Sequence, residues 1–358
     1  MVSAVYAGLA GSSRNTAGNR PAMEERILDF ATLGDALFQE QVSRVISRCH
    51  KRATGAVASL DFVTASGDAY HLNRQTPGPD AIAIDDTDQL SCAYPNVDCD
   101  EADYVKVSFP FKTYWVCGDV TRRAIVRGRG FADILAIEMA DMTERLLYTL
   151  EKQTFQGNFD GASPKEFEGL FPLIEDYNGA LGGSNPVQVL LGDGCVLDVT
   201  PGSTTDGDLT LTLLDQVLDE LKTGPAVLYV SKAGRRLIRS LLQAQQRFND
   251  TAKVRAGFEV EAYFDAPIIT TDGVPDTLRI IDDGSGNAEV ESLTAGASTA
   301  VVAANTDEVF YAEWTPATIE PIAKCTSERQ QMQGYWDGTL VLNCPEGAAM
   351  ILCIDPNP

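Results

Sequence analysis

Two histidines, eight cysteines and one dense run of arginines are the residues of this 358-residue chain whose chemistry could exceed packing. His50 and His71 have no second His or Cys at a spacing that suits a metal. Cys49 adjoins His50, but neighbours on a helix point about 100° apart, which does not make a nucleophile and base. The cysteines (Cys49, Cys92, Cys99, Cys117, Cys195, Cys325, Cys344, Cys353) include no pair at the two-residue spacing of zinc or redox motifs, so buried free thiols in a reducing cytoplasm are expected. The run DDGSGNAE from Asp282 is acidic but misses the one-three-five spacing of a calcium loop and reads as a tight turn. Phosphate-binding, nucleophile-elbow, zinc-protease and dinucleotide motifs are absent. The expectation is therefore a chain without catalytic residues, cofactor or metal, and not an enzyme. Arg122, Arg123, Arg127 and Arg129 form the densest basic cluster, with Arg235, Arg236 and Arg239 second. Two readings fit the first cluster: an ion-pair patch for acidic neighbours, or a solvated strand and turn, since exposed pairs contribute little each.

The elements that would position these residues are organised around one stretch, Phe131 to Gly157. Phe131, Ile134, Leu135, Met139, Met142, Leu146 and Leu150 recur every three or four residues, with Asp133, Asp141, Glu144, Arg145 and Glu151 at the other positions. That is the period of an amphipathic helix, uninterrupted by Gly or Pro until Gly157, and it predicts about seven turns. The Arg-rich run before it reads as β, and residues 157–208, rich in Gly, Asn, Asp and Pro around FEGLFPLI, read as turns and short strands. Residues 1–20 have no periodicity and read as an arm, and MVSAVYAGLAG lacks the basic start of a signal peptide. A helix over Asp35–His50 follows, either packed in the core or docked on a neighbour.

Between Gly55 and Val120, SLDFVTA and ADYVKVSFPFKTYWVCGDV read as the arms of a long β-hairpin. In the second arm Val105, Val107, Phe109 and Phe111 alternate with Lys106, Ser108, Pro110 and Lys112. The roughly 40 residues between the arms exceed ordinary connections and suit a loop that reaches a neighbour. From Leu209 the pattern becomes α/β: helix Thr212–Lys222, strand Ala226–Val230, helix from a Ser231 cap to about Phe248. Strands follow in FEVEAYF, APIITT, TLRIID and EVFYAEW, and one or two more in the tail GTLVLNCPEGAAMILCI.

Composition narrows the classes. A chain 44% hydrophobic and 22% charged is globular, and no apolar run approaches the ~20 residues of a membrane helix. The net charge of -23 repels phosphate backbones and disfavours nucleic-acid recognition. It suits a wall beside packed DNA, and equally an acidic soluble protein.

The order of these elements over residues 25–358 resembles the major capsid proteins of tailed phages, the Hong-Kong-97-type fold shared with encapsulin shells. The most specific local matches are the helix ending in EKQTFQGN (Glu151 to Asn158) followed by EGLF (Glu168 to Phe171), and FEVEAYFDAPIITTD (Phe258 to Asp272), although Asp265-Ala266 stands where the family often has Gly. The resemblance implies an α+β fold with an N-terminal arm (1–53), an extended β-hairpin loop (54–118), a peripheral domain (119–208, completed by 305–335) and an α/β axial domain (209–304, completed by 336–358). The long helix becomes the spine of the peripheral domain, its core formed by Phe131, Leu135, Met139, Met142, Leu146 and Leu150. Arg122, Arg123, Arg127, Arg129, Lys106, Phe109 and Lys112 become inter-subunit contacts.

The function implied is a major capsid protein that self-assembles through hexamers and pentamers into an icosahedral shell enclosing double-stranded DNA. The expected location is the virion, with assembly in the host cytoplasm. Expected partners are copies of itself, portal, a decoration protein and packaged DNA held without specific binding, with no membrane. The chain shows no long charged scaffolding segment at its N-terminus, so scaffolding is expected from a separate protein. No Lys–Asn crosslinking pair is placed. An encapsulin-like compartment holding a protein cargo is the alternative in the same class, and an acidic α/β hydrolase or transferase the alternative in another.

Overall fold

A computed structural model describes residues 55–75, 104–128, 133–157, 165–180, 188–197, 205–222, 224–244, 250–253, 259–282, 288–322 and 328–357. The expected arm, the helix over Asp35–His50, the hairpin tip, Arg129, Phe131 and residues 283–287 of the DDGSGNAE turn lie outside the described residues. The chain divides into a small unit (Met1–Cys49, Gly118–Ala140, Pro321–Met332) and a large one (His50–Cys117, Asp141–Glu320, Gln333–Pro358).

In the large unit, the short helix α1 (Gly55–Ser59) leads to β1 (Asp61–Thr64). β1 runs parallel to β13 (Val309–Pro321), Asp61 opposite Phe310 and Thr64 opposite Glu313. SLDFVTA is thus not the hairpin arm expected from its pattern. The arm is β2 (Ala69–Gln75), antiparallel to β3 (Tyr104–Pro110), with Ala69 opposite Pro110 and Gln75 opposite Tyr104. Both segments alternate, and which of two adjacent runs pairs is decided by register against distant strands, which a local period cannot report. After Pro110 the chain continues as β4 (Lys112–Thr121), at one edge of a sheet ordered β1-β13-β14-β4, where β14 is Arg329–Leu342. The end of β4 and the start of β14 belong to the small unit.

The second sheet has seven strands, ordered β5-β15-β12-β6-β9-β8-β7. These are β5 (Val189–Leu191), β6 (Ala226–Val230), β7 (Asp250–Lys253), β8 (Glu259–Tyr263), β9 (Ala266–Thr270), β12 (Thr299–Asn305) and β15 (Ala348–Ile354). The other two, β10 (Arg279–Asp282) and β11 (Ala288–Ser292), pair only with each other. The interior strand β12, TAVVAAN, is buried at every residue, as β15 is. A strand covered on both faces shows no alternation, and its alanines lower its apparent strand preference, which is why the sequence reading passed over it. One face carries α5 (Leu211–Asp219), capped by the Thr210 side chain, and α6 (Lys232–Ala244), where Ser231 Oγ accepts from Gly234 N at 3.0 Å as expected of a cap. α5 begins at Leu211 and ends at Asp219, short of Lys222.

Two further local expectations fail. FEGLFPLI opens α4 (Leu170–Ala180), not a strand. Pro172 lies in the first turn, where a missing N–H costs nothing, and Leu170, Phe171, Leu173 and Ile174 are all buried. The Arg-rich run in the small unit is α2 (Arg122–Gly128), not β. Thr121 Oγ1 accepts from Ala124 N at 3.3 Å, and this cap with helix-tolerant arginines outweighs the strand bias of Ile125-Val126.

The cysteines also depart from expectation. Cys195 and Cys353 form a disulfide, and Cys117 is exposed and Cys344 half-buried. Pairs 158 residues apart come together only through the sheet, so their spacing carried no signal.

Candidate assembly surfaces and the clamped long helix

The long helix α3 runs Ile134–Gln156. Asp133, read as a face residue, is its cap: Oδ1 accepts from Leu135 N at 3.1 Å and Ala136 N at 3.3 Å. Of the expected core residues, Met142, Leu146 and Leu150 are buried, whereas Leu135 and Met139 are half-buried. The correction of most consequence is Glu151. Assigned to the polar positions, it is completely buried. Its carboxylate accepts from Ala56 N at 3.0 Å and Val57 N at 2.9 Å, two orphan donors at the start of α1, and from Thr271 Oγ1 at 2.5 Å. Burial pushes this carboxyl up from its ordinary value, against the three hydrogen bonds that favour the charged form, and nearby Asp272 adds to the rise. The signal was present: Leu147, Glu151 and Thr154 fall at i, i+4 and i+7, on one face.

Around the carboxylate, each buried hydroxyl has a partner. Ser59 Oγ meets Tyr229 Oη at 2.6 Å, and Thr154 Oγ1, which donates to Leu150 O at 2.7 Å, meets Tyr311 Oη. Burial raises both phenols. Two runs of ring contacts line this core, Phe171–Phe155–Tyr229 and Tyr311–Trp336–Phe167–Tyr114.

The helix end brings the EKQTFQG and EGLF segments together. Gly169 N donates to Gly157 O at 2.9 Å, and a Cβ on Gly169 would sit 2.6 Å from the Phe155 carbonyl and 2.7 Å from Gly157 N. One on Gly157 would sit 2.3 Å from Phe167 O. Two backbones meet here with no room for a side chain, and the pair joins the last turn of α3 to the first of α4.

The expected contact residues separate. In the small unit, Arg122, Arg123 and Arg127 lie exposed on α2 and, with Val126 and Glu328, line a surface cleft of about 410 Å³. Arg122 N donates to Glu328 O at 2.7 Å, and Arg329 Nη1 lies 2.6 Å from Asp119 Oδ2. In the large unit, Lys106 is exposed on β3 and Lys112 half-buried on β4. Phe109 is 4% exposed within the core of its own chain, so its side chain is spent before any neighbour arrives. Exposed apolar residues instead include Tyr104 (70%) and Val105 (54%) at the far end of the hairpin, and Trp115 and Trp314 on the four-stranded sheet. The second basic cluster lies on α6, where Arg235 Nε reaches Glu261 Oε2 at 3.0 Å and Arg239 pairs with the same carboxylate.

A cleft of about 970 Å³ in the large unit is lined by Asp61, Asp215, Asp219, Asp265 and Lys222 among others. It pairs no base with a nucleophile: of the lining hydroxyls, Ser59 is bonded to Tyr229 and Thr306 donates to Pro225 O, and His71 is exposed on the hairpin. Among the described residues no group of three or more His, Cys, Asp or Glu could hold a metal, and no helix is long and apolar enough to cross a membrane.

No protein-family model and no curated protein matches the sequence. The fold does have relatives among solved structures. The holo-SrpI encapsulin complex from Synechococcus elongatus aligns over 99% of this chain and 96% of its own, at TM-score 0.55 and 12% identity. The capsid of the native GTA particle aligns over 91% and 98%, at TM-score 0.56 and 9% identity. A structure from Mycobacterium phage Bobi aligns over 88% and 96%, at TM-score 0.56 and 12% identity. Matched to these structures almost end to end, the chain has the Hong-Kong-97-type fold of phage capsids and encapsulins.

Proposed function

We propose that this chain is the major capsid protein of a tailed phage, copies of which assemble through hexamers and pentamers into an icosahedral shell around double-stranded DNA. The observation that carries the reading is the β2–β3 hairpin. It is a two-stranded sheet on its own, and it exposes Tyr104 and Val105 at its outer end. One face of this seven-residue pairing packs on its own chain through Phe109, Tyr70, Leu72 and Val107, and the apolar side chains left exposed beyond it offer a surface to a neighbouring copy. Repeated head to tail, one such contact closes a ring. In this reading α3 is the spine of a peripheral domain, the seven-stranded sheet belongs to an axial domain, and Arg122, Arg123, Arg127, Lys106 and Lys112 meet acidic neighbours. The chain is structural and not an enzyme. Its charge of -23 leaves DNA packaged without specific contacts, and scaffolding, portal and decoration come from separate proteins in the host cytoplasm.

The encapsulin-like compartment is kept as a second reading because the Synechococcus relative aligns over 99% of this chain. The test is sedimentation and negative-stain microscopy of the chain expressed alone and with a candidate scaffolding protein. Closed shells or rings support a shell protein, and a shell that fills with protein rather than DNA selects the compartment. A compact monomer under both conditions refutes both readings. The triple variant Arg122→Glu, Arg123→Glu, Arg127→Glu is expected to fold and fail to form rings.

A further inference from the structure

The disulfide between Cys195 and Cys353 sits where a covalent bond would control one edge of the seven-stranded sheet, and three observations bear on how. First, β15 pairs with β12 through an irregularity: Thr299 faces Ile354 and Val301 faces Ile351, which leaves two residues of β15 opposite one of β12. Cys353 is in that bulge, fully buried, with φ 61 in the left-handed region that non-glycine residues rarely enter. Bulges re-aim side chains, and this one directs a thiol out of the pleat at Cys195. Second, Cys195 is half-buried in the turn after β5, so a dissolved thiol meets the bond from that side. Third, backbone hydrogen bonds already dock this turn on β15. Gly192 N donates to Leu352 O at 3.0 Å, Gly207 N to Cys353 O at 2.9 Å and Asp355 N to Gly207 O at 2.9 Å. The two sulfurs are therefore brought together by the folded sheet, without the bond.

We propose that Cys195–Cys353 is a reversible redox latch on the β5 edge, closed after folding by exchange with a low-molecular-weight disulfide and opened from the Cys195 side by small thiols. In closing, the Cys195 thiolate attacks the small disulfide and expels one thiolate, leaving a mixed disulfide. The Cys353 thiolate then attacks Cys195 Sγ and expels the second. The two cysteines lose two electrons and two protons, and the small disulfide becomes two thiols. Opening is the reverse. With the latch open, β5, an edge strand of three residues, is held to β15 by backbone hydrogen bonds and by the packing of Val189, Leu190 and Leu191, with no covalent tie, and its loss uncovers the edge of a fully buried strand. The proposal does not depend on what the chain assembles into.

The test uses the full-length chain with stepwise dithiothreitol and then oxidised glutathione, read by maleimide labelling with mass spectrometry and by amide hydrogen exchange. Reduction is expected to add two labelled cysteines, Cys195 before Cys353. It should raise exchange in peptides covering 188–197 about tenfold or more while β6 stays protected, and oxidised glutathione should restore both. Cys195→Ser should exchange like the reduced protein under either condition. Unchanged exchange at 188–197, a rise that includes β6, or a reduced pair that oxidised glutathione does not close would each overturn the latch. The wild-type titration decides the matter by itself if Cys195→Ser does not fold.

Discussion

Replacing Glu151 by Ala removes a carboxylate that accepts three buried hydrogen bonds, and its cost can be worked from the geometry. Ala56 N and Val57 N, at 3.0 and 2.9 Å, lose their acceptor, and the Thr271 hydroxyl, at 2.5 Å, loses a third bond. A buried donor left without a partner costs about 1–3 kcal/mol, so the gross loss over three donors is roughly 3–9 kcal/mol. Against this, the wild type bears the cost of an ionised group in a buried site, the same cost that raises its pKa. A net destabilisation of about 3 kcal/mol remains, a large part of a typical folding stability of ~5–15 kcal/mol. Glu151→Gln keeps one acceptor oxygen and turns an amide N–H₂ on the other donor, for about 1–2 kcal/mol. The assay is urea unfolding of the unassembled chain followed by tryptophan fluorescence, since Trp336 is 1% exposed in the same core. The pH dependence has a definite sign. With the folded-state pKa raised above 4.5, the stability linked to this proton is fully present below 4.5 and is lost as pH rises through the folded value. Wild type should therefore lose stability relative to Glu151→Gln as pH is raised through that window. A cost below about 1 kcal/mol for Glu151→Ala would refute the clamp, and a pH trend of the opposite sign would show that the three hydrogen bonds outweigh burial.

Two further outcomes are expected. Gly169→Ala should cost about 3 kcal/mol, because its Cβ meets backbone at 2.6 Å and backbone cannot step aside without breaking the Gly169–Gly157 bond; an unchanged urea midpoint would count against this contact. At the β8–β9 turn Phe264 and Asp265 both have positive φ, 45 and 66. There Asp265→Gly should leave stability unchanged or improve it by ~0.5 kcal/mol while Asp265→Val lowers it by ~1–2 kcal/mol, and equal midpoints for the two would contradict the left-handed backbone.

How far the sequence could be read is clearest residue by residue. Met142, Leu146 and Leu150 were legible because a helix packed on one side must repeat its apolar residues every three or four positions, whatever it packs against. The Ser231 cap and the strand Ala226–Val230 were legible for the same reason, since both are settled within a few residues. Arg122–Gly128 was misread because β-branched residues and a threonine cap point in opposite directions, and only the cap hydrogen bond decides. Phe109 kept the right alternation but the wrong destination: its period says that it faces one side of a strand, not whose surface covers that side.

By itself, then, the sequence determined the periodic elements and their order, the long helix, the glycines that punctuate it and the charge of -23, because each depends on neighbours along the chain. Only the tertiary structure decided that β1 joins β13 while β2 takes the hairpin, that TAVVAAN is an interior strand of a sheet, and that Glu151 lies inside. It alone brought Cys195 to Cys353 across 158 residues. Each of these is a contact between segments far apart in sequence, chosen by burial and by the need to pair every buried polar group, and no local pattern encodes the identity of a distant partner.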